Sequence, residues 1–140
     1  MNQSCDKGHM NDEDRKSEIF LENVRQIPDS IRIGILTKFA QLPYKKYGIQ
    51  ISEALIVATI EILNANKGKM LPQNARKETR DNTPFGLDKL IKMKLNNDTM
   101  TAGFISNELE ARDVVEITRR PNEKTGRIIK YTCLKSDWIW

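Results

Sequence analysis

The chain has 140 residues, a net charge of +4, 30% charged residues and 39% hydrophobic residues, which suits one ordinary domain with a sizeable core and is too short to make two comfortably. Its longest apolar run, Ala54 to Ile60, is broken by Thr59 and is far below the ~18 residues of a membrane span, while the first fifteen residues are polar and acidic, unlike a secretory signal; a cytoplasmic location and no membrane partner are expected. Cys5, Cys133 and the single histidine, His9, are scattered and no glycine-rich phosphate loop occurs, so neither a metal set nor a nucleophile with its base can be assembled; no cofactor and no enzymatic activity are expected.

Charge is unevenly spread. Residues 1–30 hold more acids than bases, so the rest carries a cationic surplus larger than the total. An acidic start and a basic body point to an anionic partner, nucleic acid first. Residues 1–16 are rich in both charges and poor in apolar side chains, the composition of a disordered tail, and one domain is expected over residues 17–140. Ile19, Phe20, Val24 and Ile27 share a helical face until Pro28 ends the pattern. Asp29 or Ser30 can cap a second helix carrying Ile31, Ile35, Leu36 and Phe39, closed by Pro43. The apolar faces within residues 17–48 need a cover. A twofold copy of the chain, hence a homodimer, is the expected one, and folding back on the same domain is the alternative.

Tyr44-Lys45-Lys46-Tyr47-Gly48 reads as a connector. Its lysines can touch nucleic acid, or its tyrosines can pack at the core edge. Ser52 is a plausible cap for the most hydrophobic helix, with Glu53 in the first turn, Leu55, Ile56, Thr59, Ile62 and Leu63 on one side, and Val57 and Ile60 widening the stripe. Gly68 suits the left-handed position after it. Residues 69–82 are polar and include Lys69, Arg76, Lys77 and Arg80, either a mobile basic arm or a short extra helix. Thr83-Pro84 then looks like a cap and first helical residue for a helix of about eleven residues. Leu87, Leu90, Ile91 and Leu95 form its buried face, while Lys89, Lys92 and Lys94 project.

After the turn at Asn96-Asn97-Asp98, the residues Ala102, Ile105, Leu109 and Arg112 recur on one helical face, with Asp98, Thr99 or Thr101 as cap. Beyond Asp113 the period becomes two. Val115 and Ile117 fall on one side of a strand, a loop follows from Arg120 to Gly126, and Ile129, Tyr131 and Cys133 alternate in the returning strand. This predicts an antiparallel hairpin with Val115, Ile117, Ile129 and Tyr131 as its apolar face. Arg119, Arg120, Lys124 and Arg127 crowd its tip, opposed only by Glu123. Such a projection can lay cations along a phosphate backbone, the bland alternative being a solvated loop. Trp138 and Trp140 are too large and apolar to leave in water, so they are expected to pack on the core or on a partner.

Residues 87–134 resemble the DNA-binding lobe of winged helix-turn-helix transcription regulators, most nearly the MarR type. The likeness is carried by Ile105-Ser106-Asn107-Glu108-Leu109-Glu110-Ala111-Arg112-Asp113-Val114-Val115-Glu116-Ile117 and by the wing-like pieces Arg119-Arg120-Pro121-Asn122 and Gly126-Arg127. It implies a mainly α chain with a small β-hairpin (α+β), in which residues 49–134 form a winged helix-turn-helix, extra helices precede it and residues 135–140 form a Trp-containing tail. It also implies a dimeric regulator bound to double-stranded DNA. Thr99, Thr101 and Asn107 would approach the major groove, Lys92 and Lys94 the backbone, and Arg119, Arg120, Lys124 and Arg127 the minor groove or adjacent phosphates. Three features depart from the family pattern: Asp113 where glycine is usual, Gly103 and Phe104 where DNA-facing polar residues are usual, and the insertion before Pro84. The alternative is a winged-helix interaction module of a replication or transcription assembly, with the wing and the Trp pair contacting protein.

Overall fold

The computed structural model of the chain describes residues 21, 24–66, 70–73, 86–96, 101–122 and 125–140. In chain order these form α1 (Asp29–Leu36), β1 (Tyr44–Lys46), β2 (Ile49–Ile51), α2 (Glu53–Ala65), β3 (Leu71–Pro72), α3 (Leu87–Leu95), α4 (Ala102–Ala111), β4 (Val115–Pro121), β5 (Ile128–Leu134) and a 3-10 turn at Ser136–Trp138. The fold is mixed α+β, with a two-stranded sheet β1-β2 and a three-stranded antiparallel sheet in the order β3-β5-β4. Among the described residues, no helix is long and apolar enough to cross a membrane.

Helix α2 is the centre. Ser52 caps it, its hydroxyl accepting from the Leu55 amide at 3.2 Å, and Leu55, Ile56, Ile60, Ile62 and Leu63 are buried along its length. Each such side chain taken from water contributes roughly 1.5–3 kcal/mol before entropy is counted. Its polar residues are satisfied locally or put to use: Thr59 Oγ1 donates to the Leu55 carbonyl, Asn66 Nδ2 to the Ile62 carbonyl, and Asn64 Oδ1 accepts from the Trp140 amide at 3.0 Å. That last bond helps seat the end of the described chain. Trp138, Ile139 and Trp140 pack against the main core, and Trp138 Nε1 donates to the Asp113 carbonyl. Of the two covers expected for the tryptophans, the chain's own core is the one observed.

The segment before α2 also folds inward. Ile27, Ile35 and Phe39 are buried in the same core, and the buried Glu61 of α2 accepts from the Ile27 amide at 2.7 Å. Val24, Ile31 and Leu36 pack partly buried against this core, while Ile33 of α1 is 56% exposed. Ile19 and Phe20 lie outside the described residues. Pro28, rather than Asp29 or Ser30, occupies the N-cap of α1, which has no side-chain cap.

Three element boundaries differ from the sequence reading. Tyr44 to Ile51 is a hairpin and not a connector: Tyr47 and Gly48 both take positive φ, +53° and +78°, the pair a tight type I′ turn requires. Leu71 and Pro72 form an edge strand on β5, neither of the two states expected for that segment. Gly86, in extended conformation, is the N-cap of α3, so that helix begins after Gly86 and not at Pro84. Thr83, Pro84 and Gly68 lie outside the described residues.

Candidate nucleic-acid interface

Helix α4 is held on three sides. Ala102, Ile105 and Leu109 face the core. Ser106 Oγ lies 3.0 Å from Thr132 Oγ1 on β5, and Thr132 Oγ1 in turn accepts from Gln73 Nε2, so a buried polar chain ties α4 to the three-stranded sheet. On the opposite flank Glu108 Oε1 accepts from the Tyr44 hydroxyl and Glu108 Oε2 from Lys46 Nζ at 2.7 Å, which docks the β1-β2 hairpin. Arg112 completes this cluster: its guanidinium bonds Glu108, the Lys38 carbonyl and the Tyr44 hydroxyl and lies 4.1 Å from the Phe39 ring centroid. Helical geometry leaves Phe104, Asn107 and Ala111 on the remaining face, and all three are exposed. The outer face of α4 thus runs between two hairpins.

The cluster is tuned by its own contacts. Burial works to raise the Glu108 carboxyl, but hydrogen bonds from Lys46 and Tyr44 and the charges of Lys46 and Arg112 outweigh it and hold the group below its ordinary range. Burial first, then the bond to Glu108, pushes the Tyr44 hydroxyl up to about 12. The same carboxylate raises Lys46.

Both ends of α4 are closed. Thr101 is the N-cap, yet its side chain makes no cap bond; Asp88 of α3 supplies one instead, its Oδ1 accepting from the Thr101 and Ala102 amides at 3.2 and 3.5 Å. At the other end Asp113 takes φ +62°. The Asp113 amide bonds the Glu110 carbonyl and the Val114 amide the Leu109 carbonyl, the paired bonds of a Schellman cap. The left-handed residue that the resemblance expects as glycine is supplied by aspartate.

Register decides what the β4-β5 hairpin presents. Val115 pairs with Leu134, Ile117 with Thr132, Thr118 with Tyr131, Arg119 with Lys130 and Arg120 with Ile129. Directly paired residues share a face, so Ile129 and Tyr131 lie opposite the Val115 and Ile117 face, correcting the expected apolar side. The helix-packed face continues from Ile117 and Thr132 to Arg119 and Lys130. The Val114 amide bonds Leu109 and Thr132 meets Ser106, so the two cations lie one step beyond the Ser106 contact on the same face of the ladder, toward the hairpin tip. Both are exposed, as is Arg127, and none of the three has an ion pair among the described residues. Arg120 differs: it lies 4.3 Å from the Tyr131 ring centroid on the other face, its Nε buried and without a hydrogen-bond partner. Asn122 shapes the loop, its Oδ1 accepting from the Thr125 amide while its own amide bonds the Arg127 carbonyl. Gly126 at φ +74° completes the turn.

The expected contact residues therefore separate. Asn107 is exposed on the outer face of α4, Arg119 on β4 and Arg127 at the end of the loop. Thr101 is only 4% exposed, because the Asp88 cap draws the helix start inward, and it cannot approach a groove. Lys92 pairs with Asp88 at 3.4 Å and Lys94 with Glu61 at 3.4 Å, so both work within the chain. Thr99 and Lys124 lie outside the described residues. Lys130 was missed, although it alternates correctly in its strand, because nothing local reveals that it faces Arg119. Comparison with protein-family models, with curated proteins and with solved structures finds no match to this chain.

Proposed function

We propose that this chain is a winged-helix DNA-binding protein, a transcriptional regulator that lays the outer face of α4 in the major groove of double-stranded DNA and the β4-β5 hairpin along the neighbouring phosphates. The order α2, β3, α3, α4, β4, loop, β5, with sheet order β3-β5-β4, is compatible with that fold. One observation carries the functional reading: Arg119 and Lys130 are directly paired across strands. Like charges directly opposite one another destabilise a sheet, and no carboxylate compensates this pair among the described residues. A row of phosphates would. Arg127 at the loop end and the exposed Asn107 amide extend the surface, and an Asn amide can pair with adenine in the major groove. The regulator would act as a homodimer, a second copy covering the side of α1 on which Ile33 is 56% exposed.

The test is a salt titration of binding to duplex DNA by the wild type and by the Arg119→Ala, Arg127→Ala, Lys130→Ala triple variant. Affinity should fall for all sequences alike, and the slope of log affinity against log salt should drop by about 0.9 for each phosphate contact removed. If the folded wild type binds no duplex even at low salt, the interaction-module reading replaces this one.

A further inference from the structure

An exposed aromatic pair joins this face of α4 to the tip of the β1-β2 hairpin. Tyr47, at the tip of the β1-β2 hairpin, is 80% exposed, and Phe104 on α4 is 38% exposed. Their ring centroids are 6.1 Å apart at 46°, a tilt that leaves neither ring's face closed by the other. Tyr47 also holds a positive φ, a conformation costly for a bulky residue and kept where function or surrounding structure requires it. The type I′ turn of the β1-β2 hairpin requires that backbone, and it holds the exposed ring at the hairpin tip.

Beneath the pair lies a cavity of about 150 Å³ lined by Lys46, Tyr47, Ile51, Phe104, Asn107 and Glu108. That is well below the ~300 Å³ at which pockets begin to enclose a drug-sized ligand, and it is open to the DNA-facing side of α4. Its chemistry is mixed: aromatic rings and Ile51 for a planar apolar group, the Asn107 amide for a polar edge. Its only carboxylate, Glu108, is matched by Lys46 and Arg112 at 2.7 and 3.3 Å, so the floor does not repel a polyanion. Exposed Lys45 adds a cation on the same hairpin.

We propose that this aromatic cavity receives a single unstacked nucleobase, so that the preferred ligand of the site is DNA with a base out of the helix, either unpaired or extruded. The inference rests on the DNA-binding reading above. A base offers a π face to Tyr47 and Phe104 and an edge to Asn107, and its phosphates stay near the lysines. Stacking on aromatic side chains is the usual means of holding such a base, and it tolerates any sequence.

The test compares two duplexes of equal length and salt, one fully paired and one carrying an unpaired 2-aminopurine. The wild type should bind the bulged duplex more tightly than the paired one and quench the probe. Tyr47→Gly, which removes the ring and suits the positive φ, should lose roughly 5- to 150-fold for the bulged duplex with little change for the paired one; Phe104→Ala should lose as much for the bulged duplex, and Tyr47→Trp should bind it far better than Tyr47→Gly. The Arg119, Arg127 and Lys130 triple variant should weaken both duplexes alike. Equal wild-type affinity for the two duplexes, or equal losses in Tyr47→Gly, overturns the base-cavity proposal while leaving duplex binding in place. Binding of neither duplex by the folded chain overturns both readings.

Discussion

Arg119 and Arg120 are adjacent in sequence and face opposite sides of the hairpin. Arg119 shares its face with Lys130 and is exposed, whereas Arg120 lies over the Tyr131 ring with its Nε out of water. A desolvated cation over an aromatic face contributes about 0.5–2 kcal/mol, and exposed surface changes usually stay within about ±0.5 kcal/mol. Arg120→Ala should therefore lower the unfolding free energy by about that first amount, while Arg119→Ala leaves it almost unchanged. Urea denaturation measures both, and equal effects would show that the stacking contributes nothing. Alternation in the sequence says that neighbours in a strand diverge, but not which neighbour faces inward. That depends on pairing with a strand whose register is set by the Asn122 turn. Asp113 was more legible, because aspartate tolerates the left-handed backbone that ends α4.

At the scale of elements, periodicity was enough for α2, α4 and the two strands of the large hairpin, because each has an apolar stripe matched to its own geometry. It was not enough for β1, where Tyr44-Lys45-Lys46 has no apolar alternation and is held by a carboxylate 62 to 64 residues away. Nor could it reveal the two-residue strand β3, which exists only as a ladder on β5. At α4 the sequence offers Thr101 among the cap positions, and Thr101 does occupy the N-cap, but the accepting oxygen comes from the preceding helix. It belongs to Asp88, itself fixed through its amide to the Gln73 carbonyl at 2.9 Å. Removing a cap side chain costs about 0.5–2 kcal/mol, so Asp88→Ala should destabilise the chain by that amount and speed hydrogen exchange at the Thr101 and Ala102 amides. Asp88→Asn keeps an accepting oxygen and gives up the charge that pairs with Lys92. Its effect should be clearly smaller, and two equal losses would show that the cap bond is not what Asp88 provides.

Across the whole molecule, Glu108 joins what the sequence left separate: the β1-β2 hairpin through Tyr44 and Lys46, the outer face of α4, and the segment after α1 through Arg112 and its bond to Lys38. The arrangement requires an ionised Glu108, a charged Lys46 and a neutral Tyr44, which fixes its pH window. Glu108 is held below its ordinary value of 4.5, so its contribution is complete above that pH and is lost as pH falls from there through the depressed value. Lys46 is raised above 10.5 and Tyr44 to about 12. Their contributions are complete below their ordinary values and are lost as pH rises through the raised ones. Glu108→Gln should therefore be less stable than the wild type at neutral pH, and the gap in urea midpoint should close as the buffer is taken from pH 5 toward about pH 3. Because the same carboxylate docks the hairpin that carries Tyr47, any preference for the bulged duplex should be reduced in Glu108→Gln at neutral pH, with duplex affinity through Arg119, Arg127 and Lys130 largely kept. A gap in stability that persists unchanged into acid would mean that Glu108 acts by shape and not by charge, and the pH dependence of the hairpin would have to be sought in another group.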